Sequence, residues 1–212
     1  GSTGVPKGVK ITHKNFITDV YLQKKHLYKN KTKSLIVGDY NDPSFSTFFD
    51  IYFPVVLFGS TICPAISRSD KFLMYDHYIK NKINTAVLVP SALERIKEIL
   101  IRDKIKLTGK FLFMCGEPFF LKLYKFIIEN LKFKNVFNSY GSVEMGNWVF
   151  YHECNKKDLI KFKKLNMVPI GRPYSQVKYK IKNKELIIES PTITDGYLSD
   201  DQTKINFKIR KN

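Results

Sequence analysis

The first residues with chemical potential are Gly1-Ser2-Thr3-Gly4-Val5-Pro6-Lys7-Gly8, a glycine-rich loop that carries two hydroxyls and ends on a lysine. Glycines at 1, 4 and 8 let the backbone turn with positive φ and bring successive amides close to a ligand, forming an anion-binding concavity. Ser2 and Thr3 add hydroxyl donors suited to phosphate oxygens, and Lys7 supplies a compact charge. The chemistry is that of holding a polyphosphate. It is not a Walker A loop, because Pro6 precedes the lysine where that pattern needs G-x-x-x-x-G-K-[ST]. An ordinary Gly/Pro turn with a solvated lysine is the other reading of the octet.

Two further groups carry suitable residue types. Cys115-Gly116-Glu117 places a glycine where a flat ring can approach the backbone; alone it also reads as a common turn with Cys115 as a small buried hydrophobe. Asn138-Ser139-Tyr140-Gly141-Ser142-Val143-Glu144 offers an amide, an aromatic ring and a carboxylate within seven residues. Its bland counterpart is a Tyr-Gly turn ending in a surface acid.

These groups need elements to position them. Val9 to Ile11 reads as a short strand, and Thr12 is placed to cap a helix from about His13 with Phe16 and Val20 on one face. Ser34 to Gly38 predicts a strand, Phe53 to Ile66 a buried helical turn and a strand, and Asp70 to Lys80 a helix. Thr85 to Val89 predicts the next strand, followed by a helix with Leu93, Ile96 and Leu100 at helical spacing. Phe111 to Met114 is a strand, Leu121, Tyr124, Ile128 and Leu131 mark a helical face, and Asn135 to Asn138 returns as a strand. Strands recurring between helices predict an α/β fold: a parallel sheet with flanking helices, with ligands at the carboxyl ends of the strands. Both chemical groups fall at such ends. Beyond Trp148 the period changes to alternation, with Val177, Tyr179 and Ile181 facing Leu186 and Ile188 across an Asn183-Lys184 turn, so an antiparallel β region is expected to follow. Residues 1–147 are thus expected to form an α/β part with ligands at its strand ends, and 148–212 a β-rich part of the same domain.

The octet resembles the phosphate loop of the adenylate-forming superfamily, written T-S-G-S-T-G-x-P-K-G-V, which includes acyl-CoA synthetases, luciferases and the adenylation domains of nonribosomal peptide synthesis. The match runs uninterrupted from Gly1 through Val9 and lacks the start of the motif, so the chain is expected to be an internal piece of a longer enzyme. Asn138 to Glu144 resembles the family's N-x-Y-G-x-T-E, in which the asparagine faces the adenine amino group, the tyrosine lies against the base and the glutamate holds magnesium. Val143 departs from that pattern and removes the hydroxyl that meets the phosphate. Cys115-Gly116-Glu117 resembles the step whose backbone lies along adenine, with Cys115 bordering the acyl pocket. Pro169-Ile170-Gly171-Arg172-Pro173, Glu185-Leu186-Ile187-Ile188 and Gly196-Tyr197-Leu198 resemble later steps, read as mostly structural turns at strand ends.

The resemblance implies ATP and Mg²⁺ as cofactors. Ser2, Thr3, Gly4 and Lys7 would meet the phosphates, Gly116, Glu117, Asn138, Tyr140 and Gly141 the nucleotide, and Glu144 the metal, with Lys7 and Glu144 as the catalytic pair. The activity implied is that of an AMP-forming ligase: a carboxylic acid becomes an acyl-adenylate, pyrophosphate leaves, and the acyl group passes to the thiol of a phosphopantetheinyl carrier protein or CoA. Phe45-Ser46-Thr47-Phe48 aligns on the stretch where amino-acid-activating members use an aspartate to hold the substrate ammonium. Ser46 cannot pair with a cation, although Asp42 or Asp50 could replace it if the register slips. An amino acid remains the first substrate reading. An acyl-CoA synthetase for a non-amino acid, or a basic non-catalytic module of the same fold, are the alternatives. Catalytic elements beyond Asn212 are part of the family pattern, so the chain alone is expected to be inactive.

Composition narrows the classes further. Its 212 residues and 43% hydrophobic content can furnish a normal core. Lys+Arg 36 against Asp+Glu 19 gives a net charge of +17, but the excess is nearly all lysine, spread along the chain without an arginine-rich, aromatic-interleaved cluster. No nucleic-acid partner is expected from it. Cys63, Cys115 and Cys154 are odd in number and widely spaced, giving neither a disulfide framework nor a zinc pattern. His152-Glu153-Cys154 alternates faces in an extended chain and reads as non-metal. A reducing, cytoplasmic setting is expected. The apolar stretch Tyr52 to Ile66 is broken by Pro54, Gly59 and Pro64 and is shorter than the roughly 20 residues of a membrane span.

Overall fold

The computed structural model describes residues 7–31, 33–41, 43, 45–67 and 73–198. Thr12 starts the first helix, α1 (His13–His26), through a reciprocal capping box: its hydroxyl accepts from the Asn15 amide at 3.1 Å, and Asn15 Oδ1 accepts from the Thr12 amide at 3.2 Å. Strand β1 (Ile36–Asp39), helix α2 (Thr47–Leu57) and strand β2 (Thr61–Pro64) follow. Helix α3 (Met74–Lys80) leads to β3 (Thr85–Leu88), and α4 (Pro90–Arg102) to β4 (Thr108–Cys115). Helix α5 (Leu121–Asn130) then precedes β5 (Lys132–Tyr140).

These strands join in the order β2-β1-β3-β4-β5, all parallel, as the alternation of periods predicts. Strands β6 (Phe150–Glu153) and β7 (Arg172–Pro173) extend the same sheet antiparallel, giving seven strands, with the short helix α6 (Asp158–Lys161) between them. The expected hairpin is a separate pair, β8 (Lys178–Lys182) and β9 (Glu185–Glu189). Its turn holds Asn183 and Lys184 at φ of 52° and 64°, as a two-residue hairpin loop demands.

Strand alternation divides the core. Along β4, Leu112 and Met114 pack with Leu93, Ile96 and Leu100 of α4 and with Leu123 and Ile127 of α5, while Phe111, Phe113 and Cys115 pack with Leu22 of α1 and with Ile51 and Val55 of α2. The site-bearing strand is therefore buried on both faces. Among the described residues, no helix is long and apolar enough to cross a membrane.

Several local expectations shift. Val9 to Ile11 makes one antiparallel bridge, Val9 to Tyr197, rather than a strand. Ser34 adopts a φ of 59°, which keeps it out of β1. Helix α2 begins at Thr47, well before Phe53, and runs through Pro54. The buried face of α5 is Leu121, Leu123, Tyr124, Phe126 and Ile127, with Ile128 on its half-buried edge and Leu131 just past its end. Residues 70–72 of the helix expected from Asp70 lie outside the described residues.

Phe113 is fully buried and stacks on Phe111 at 5.7 Å and on Phe137 at 5.4 Å between ring centroids. Phe113→Ala is expected to cost about 3–5 kcal/mol. Urea unfolding of the two proteins measures it, and a loss below about 1 kcal/mol would contradict this packing.

Candidate functional site

Register brings the two sequence groups together. Cys115, the last residue of β4, pairs with Ser139 near the end of β5, so Gly116-Glu117 and Asn138 to Gly141 emerge side by side at the carboxyl edge of the sheet. Asn138 is buried, and its amide nitrogen donates to the carbonyls of Val168 at 3.1 Å and Pro169 at 3.0 Å. Both donor hydrogens are engaged, which leaves the amide oxygen to accept from a ligand amine. Tyr140 is 39% exposed and meets Phe150 edge-on, so one ring face is presented outward. Gly141 has no room for a side chain: a Cβ there would lie 1.1 Å from the Asn147 carbonyl oxygen. Gly116 holds a φ of 79°, the left-handed conformation a glycine adopts without cost.

Glu117 spends its side chain on the protein. Its carboxylate accepts from the Ser91 amide and the Ser91 hydroxyl, each at 2.8 Å, and so caps the first turn of α4. The helix supplies no side-chain cap of its own at Val89. What Glu117 offers a ligand is its backbone.

Below this edge, the 3-10 turn Val143–Met145 carries Glu144. Tyr197 donates its hydroxyl to Glu144 Oε1 at 2.8 Å, and Lys7 lies 5.1 Å from the Tyr197 ring centroid. Lys7 is held there by chain pairing, since Lys10 donates to the Gly196 carbonyl at 2.9 Å and Leu198 to the Gly8 carbonyl at 2.8 Å. Burial pushes the Glu144 carboxyl up, but the Tyr197 hydroxyl, the turn's own backbone, Ser142 and the Lys7 charge outweigh it and hold the group below the usual range. In return, burial and the bond to Glu144 push the Tyr197 phenol up to about 12. The structure thus joins Lys7 and Glu144. Ser2, Thr3 and Gly4 lie outside the described residues, as does Asp42.

Behind Cys115 is a polar network the sequence reading left out. Gln23 donates through one amide nitrogen to Asp19 Oδ2 and Asp50 Oδ1, both at 3.0 Å, and Asn147 donates to Asp50 Oδ1 at 2.8 Å. Asp19, Gln23 and Asp50 are each no more than 4% exposed. Asp19 Oδ1, Gln23 Oε1, Asp50 Oδ2 and Asn147 Oδ1 find no hydrogen-bond partner among the described residues, nor do the buried hydroxyls of Tyr28 and Tyr174. Gln23 Oε1 and Asn147 Oδ1 can only accept, while the carboxyl oxygens of Asp19 and Asp50 accept when ionised and can donate when protonated. Burial pushes the Asp19 carboxyl up to about 8, and burial plus the Asp19 charge pushes Asp50 well above the carboxylate range. Burial raises the Cys115 thiol, and the Asp50 and Glu117 charges add to it. Ser46 caps α2 without a side-chain bond to the helix; Asp50 is one turn further along, its amide reaching the Ser46 carbonyl at 3.4 Å.

A loop lysine, a braced carboxylate, an amide with a spare oxygen and an open ring face share one edge. A family model described as AMP-binding enzyme matches residues 1–198. The chain belongs to the AMP-binding enzyme family. It is 24% identical over 204 residues to a D-alanine–D-alanyl carrier protein ligase of Lactococcus lactis subsp. lactis, a match covering 95% of the chain and 40% of the relative. To bacitracin synthase 2 of Bacillus licheniformis it is 27% identical over 223 residues, covering 98% of the chain and 8% of that protein. The chain therefore spans well under half the length of these relatives.

Solved structures agree on the fold. The Vibrio cholerae adenylation domain AlmE, in complex with glycyl-adenosine-5'-phosphate, superposes with a TM-score of 0.79 at 20% identity, covering 100% of the chain and 42% of that structure. The Bacillus subtilis O-succinylbenzoate coenzyme A synthetase, in complex with ATP and magnesium ion, gives 0.77 at 18% identity, covering 98% and 43%. The α/β class, with antiparallel strands added to a parallel sheet, is thus the fold of AMP-binding enzymes.

Asp19, Gln23, Asn147 and Tyr197 are the residues sequence reasoning missed at this candidate site. One signal was present for the first two: Asp19 and Gln23 stand one turn apart on the face of α1 that buries Val20 and Leu22.

Two outcomes follow from the charges. Asp19 binds its proton more tightly folded than unfolded, so its contribution is fully present below about pH 4 and is lost as pH rises through about 8. Stability is expected to fall across that window and to fall less in Asp19→Asn; equal slopes in urea titrations at several pH values would contradict it. For Glu144 the sign reverses, with stabilisation present at neutral pH and lost on acidification through its lowered value. Tyr197→Phe is expected to raise the Glu144 pKa, read by NMR titration, and to cost about 1 kcal/mol at pH 7.

Proposed function

We propose that this chain forms the nucleotide- and acid-binding walls of an AMP-forming ligase that activates an amino acid. The observation that carries this is the convergence of Lys7, Glu144, Asn138, Tyr140, Gly116 and Gly141 on the carboxyl edge of β4 and β5. In the reaction, a substrate carboxylate oxygen attacks the α-phosphorus of ATP. The bond from that phosphorus to the bridging oxygen breaks, and pyrophosphate leaves with the electron pair. A thiol then attacks the acyl carbonyl, giving up its proton, and AMP departs. The acceptor thiol is that of a phosphopantetheinyl carrier protein or CoA.

Each residue has work that suits its environment. Asn138, with its nitrogen engaged, offers its oxygen to the adenine amine, Tyr140 offers a ring face, and Gly116 and Gly141 let the base and ribose side approach the backbone. Ser2, Thr3, Gly4 and Lys7 receive the β- and γ-phosphates. Glu144 is ionised at neutral pH with one oxygen beyond its bond to Tyr197, a hard donor that fits Mg²⁺ shared with phosphate oxygens. The metal would supply neutralisation of phosphate charge there. Cys115 and Ser46 border the acid. Residues 1–147 and 148–212 act as one domain, a reading supported by β6 and β7 joining the parallel sheet.

An amino acid is favoured by Asp50. Asp50 lies one helical turn from Ser46 in a buried network with unpartnered oxygens, and an ammonium arriving there would favour the ionised form of its carboxyl. Ser46, lacking a charge, favours the second reading, an acyl-CoA synthetase for a non-amino acid.

ATP–pyrophosphate exchange, measured on the longer protein with matched amino and desamino acids, separates them. Exchange is expected with amino acids, and Asp50→Asn is expected to lower it about a hundredfold through loss of the buried charge partner. Exchange supported by desamino acids alone would overturn the amino-acid reading, and no exchange with either class would overturn the ligase reading itself.

A further inference from the structure

At the opposite end of the sheet, the amino ends of β3, β4 and β5 surround a hollow of about 540 Å³. Five lysines line it, Lys82, Lys106, Lys110, Lys132 and Lys134, and no carboxylate does. The chain's positive excess, which reads as spread along the sequence, is thus gathered locally by the fold.

The hollow is built rather than frayed. Gly109 lines it and is closely packed: a Cβ there would lie 2.6 Å from the Asn84 carbonyl oxygen and 2.6 Å from the Tyr78 hydroxyl, so this part of the wall is fixed. Tyr78 donates to the Thr108 carbonyl at 2.9 Å, fixing α3 to the start of β4. Lys110 is anchored too, its ammonium donating to the Ser34 carbonyl at 2.9 Å. The other four lysines are exposed, and none forms an ion pair with a carboxylate among the described residues. Lys132 stands directly opposite Thr108 in the β4–β5 register, and Lys134 follows it by two residues along the same strand.

Five like charges around one concavity repel one another within a Debye length of about 10 Å at 0.1 M salt. A ligand bearing several negative charges relieves that repulsion at several lysines together, whereas a monoanion relieves it at one. Compact ammonium groups suit phosphate as point charges. A single-stranded nucleic acid would also want exposed aromatic faces on which bases stack. Tyr78, the aromatic residue lining the hollow, is buried and bonded to the backbone.

We infer that this hollow is a binding site for a compact oligophosphate. The site is separate from the nucleotide edge, because Gly109 and Gly116 mark opposite ends of β4, roughly 23 Å apart along an extended strand. It does not depend on the catalytic reading of that edge.

The test is calorimetric titration of the 212-residue chain with inorganic tripolyphosphate and, separately, orthophosphate. Tripolyphosphate is expected to bind at least tenfold more tightly than orthophosphate. The quadruple variant Lys82→Gln/Lys106→Gln/Lys132→Gln/Lys134→Gln is expected to weaken it at least tenfold, while Lys7→Ala leaves this binding in place. Binding abolished by Lys7→Ala and untouched by the quadruple variant would assign the ligand to the nucleotide edge and overturn the proposal. So would an oligonucleotide that displaces tripolyphosphate with an affinity growing with its length, which marks a nucleic-acid surface. In the wild-type chain, backbone amide signals of Lys106, Gly109 and Lys132 are expected to shift on titration; shifts confined to Lys7 and Gly141 would overturn it independently of any variant.

Discussion

The site depends on the register between β4 and β5. Twenty-odd residues separate Cys115 from Ser139 in sequence, yet their backbones are partners in the ladder, so the two turns that follow open at the same level. A slip of one residue would exchange the faces of β5, moving Phe137 out of the aromatic stack with Phe113 and Val136 out of the cluster facing α4 and α5. Burial on both faces makes such a slip costly, so apolar packing fixes the position of the polar groups at the strand ends. Gly141 completes the constraint, because the chain beyond β5 folds back so closely that the Asn147 carbonyl fills the space a side chain would take.

Against that rigid frame, the Asp19–Gln23–Asp50–Asn147 network is an expense. Buried carboxyls with unpartnered oxygens forfeit hydration without full return, and the raised affinity of Asp19 and Asp50 for protons expresses that loss. A core selected for stability alone would place hydrocarbon there. Asn147 links the network to the segment that carries Glu144. Acceptors held apart by packing are pre-organised for a donor that arrives with its own hydrogens.

Sequence patterns reported whatever is local or periodic. Thr12 with Asn15, the Asn183-Lys184 turn and the Leu93, Ile96, Leu100 spacing each encode their element within a few residues. The placement of Cys115 to Glu117 and Asn138 to Glu144 at strand ends was legible for the same reason. What escaped depends on tertiary partners. Nothing near Glu117 says that its carboxylate caps a helix starting 27 residues earlier, and Tyr197 reads as a turn residue until its hydroxyl is seen on Glu144. Lysines alternate along β5 as they would on any solvated edge, and only the sheet order brings Lys82, Lys106 and Lys132 around one hollow.

The residues around Glu144 also explain how distant parts of the chain act together. Thr194 donates its amide to the Glu144 carbonyl at 3.0 Å, Thr192 its hydroxyl to the Met145 carbonyl at 2.7 Å, and Asn15 its side-chain amide to the carbonyls of Pro191 and Ile193. The segment 191–198 is thereby tied to α1, to the Glu144 turn and, through the bridge at Val9, to the chain behind Lys7. A displacement of any one strip moves the others, because each bond is to backbone and tolerates little change of angle. Lys7 and the acidic turn are therefore positioned by one shared clasp, and its two sides meet at Tyr197, whose hydroxyl bonds Glu144 and whose ring lies beside Lys7.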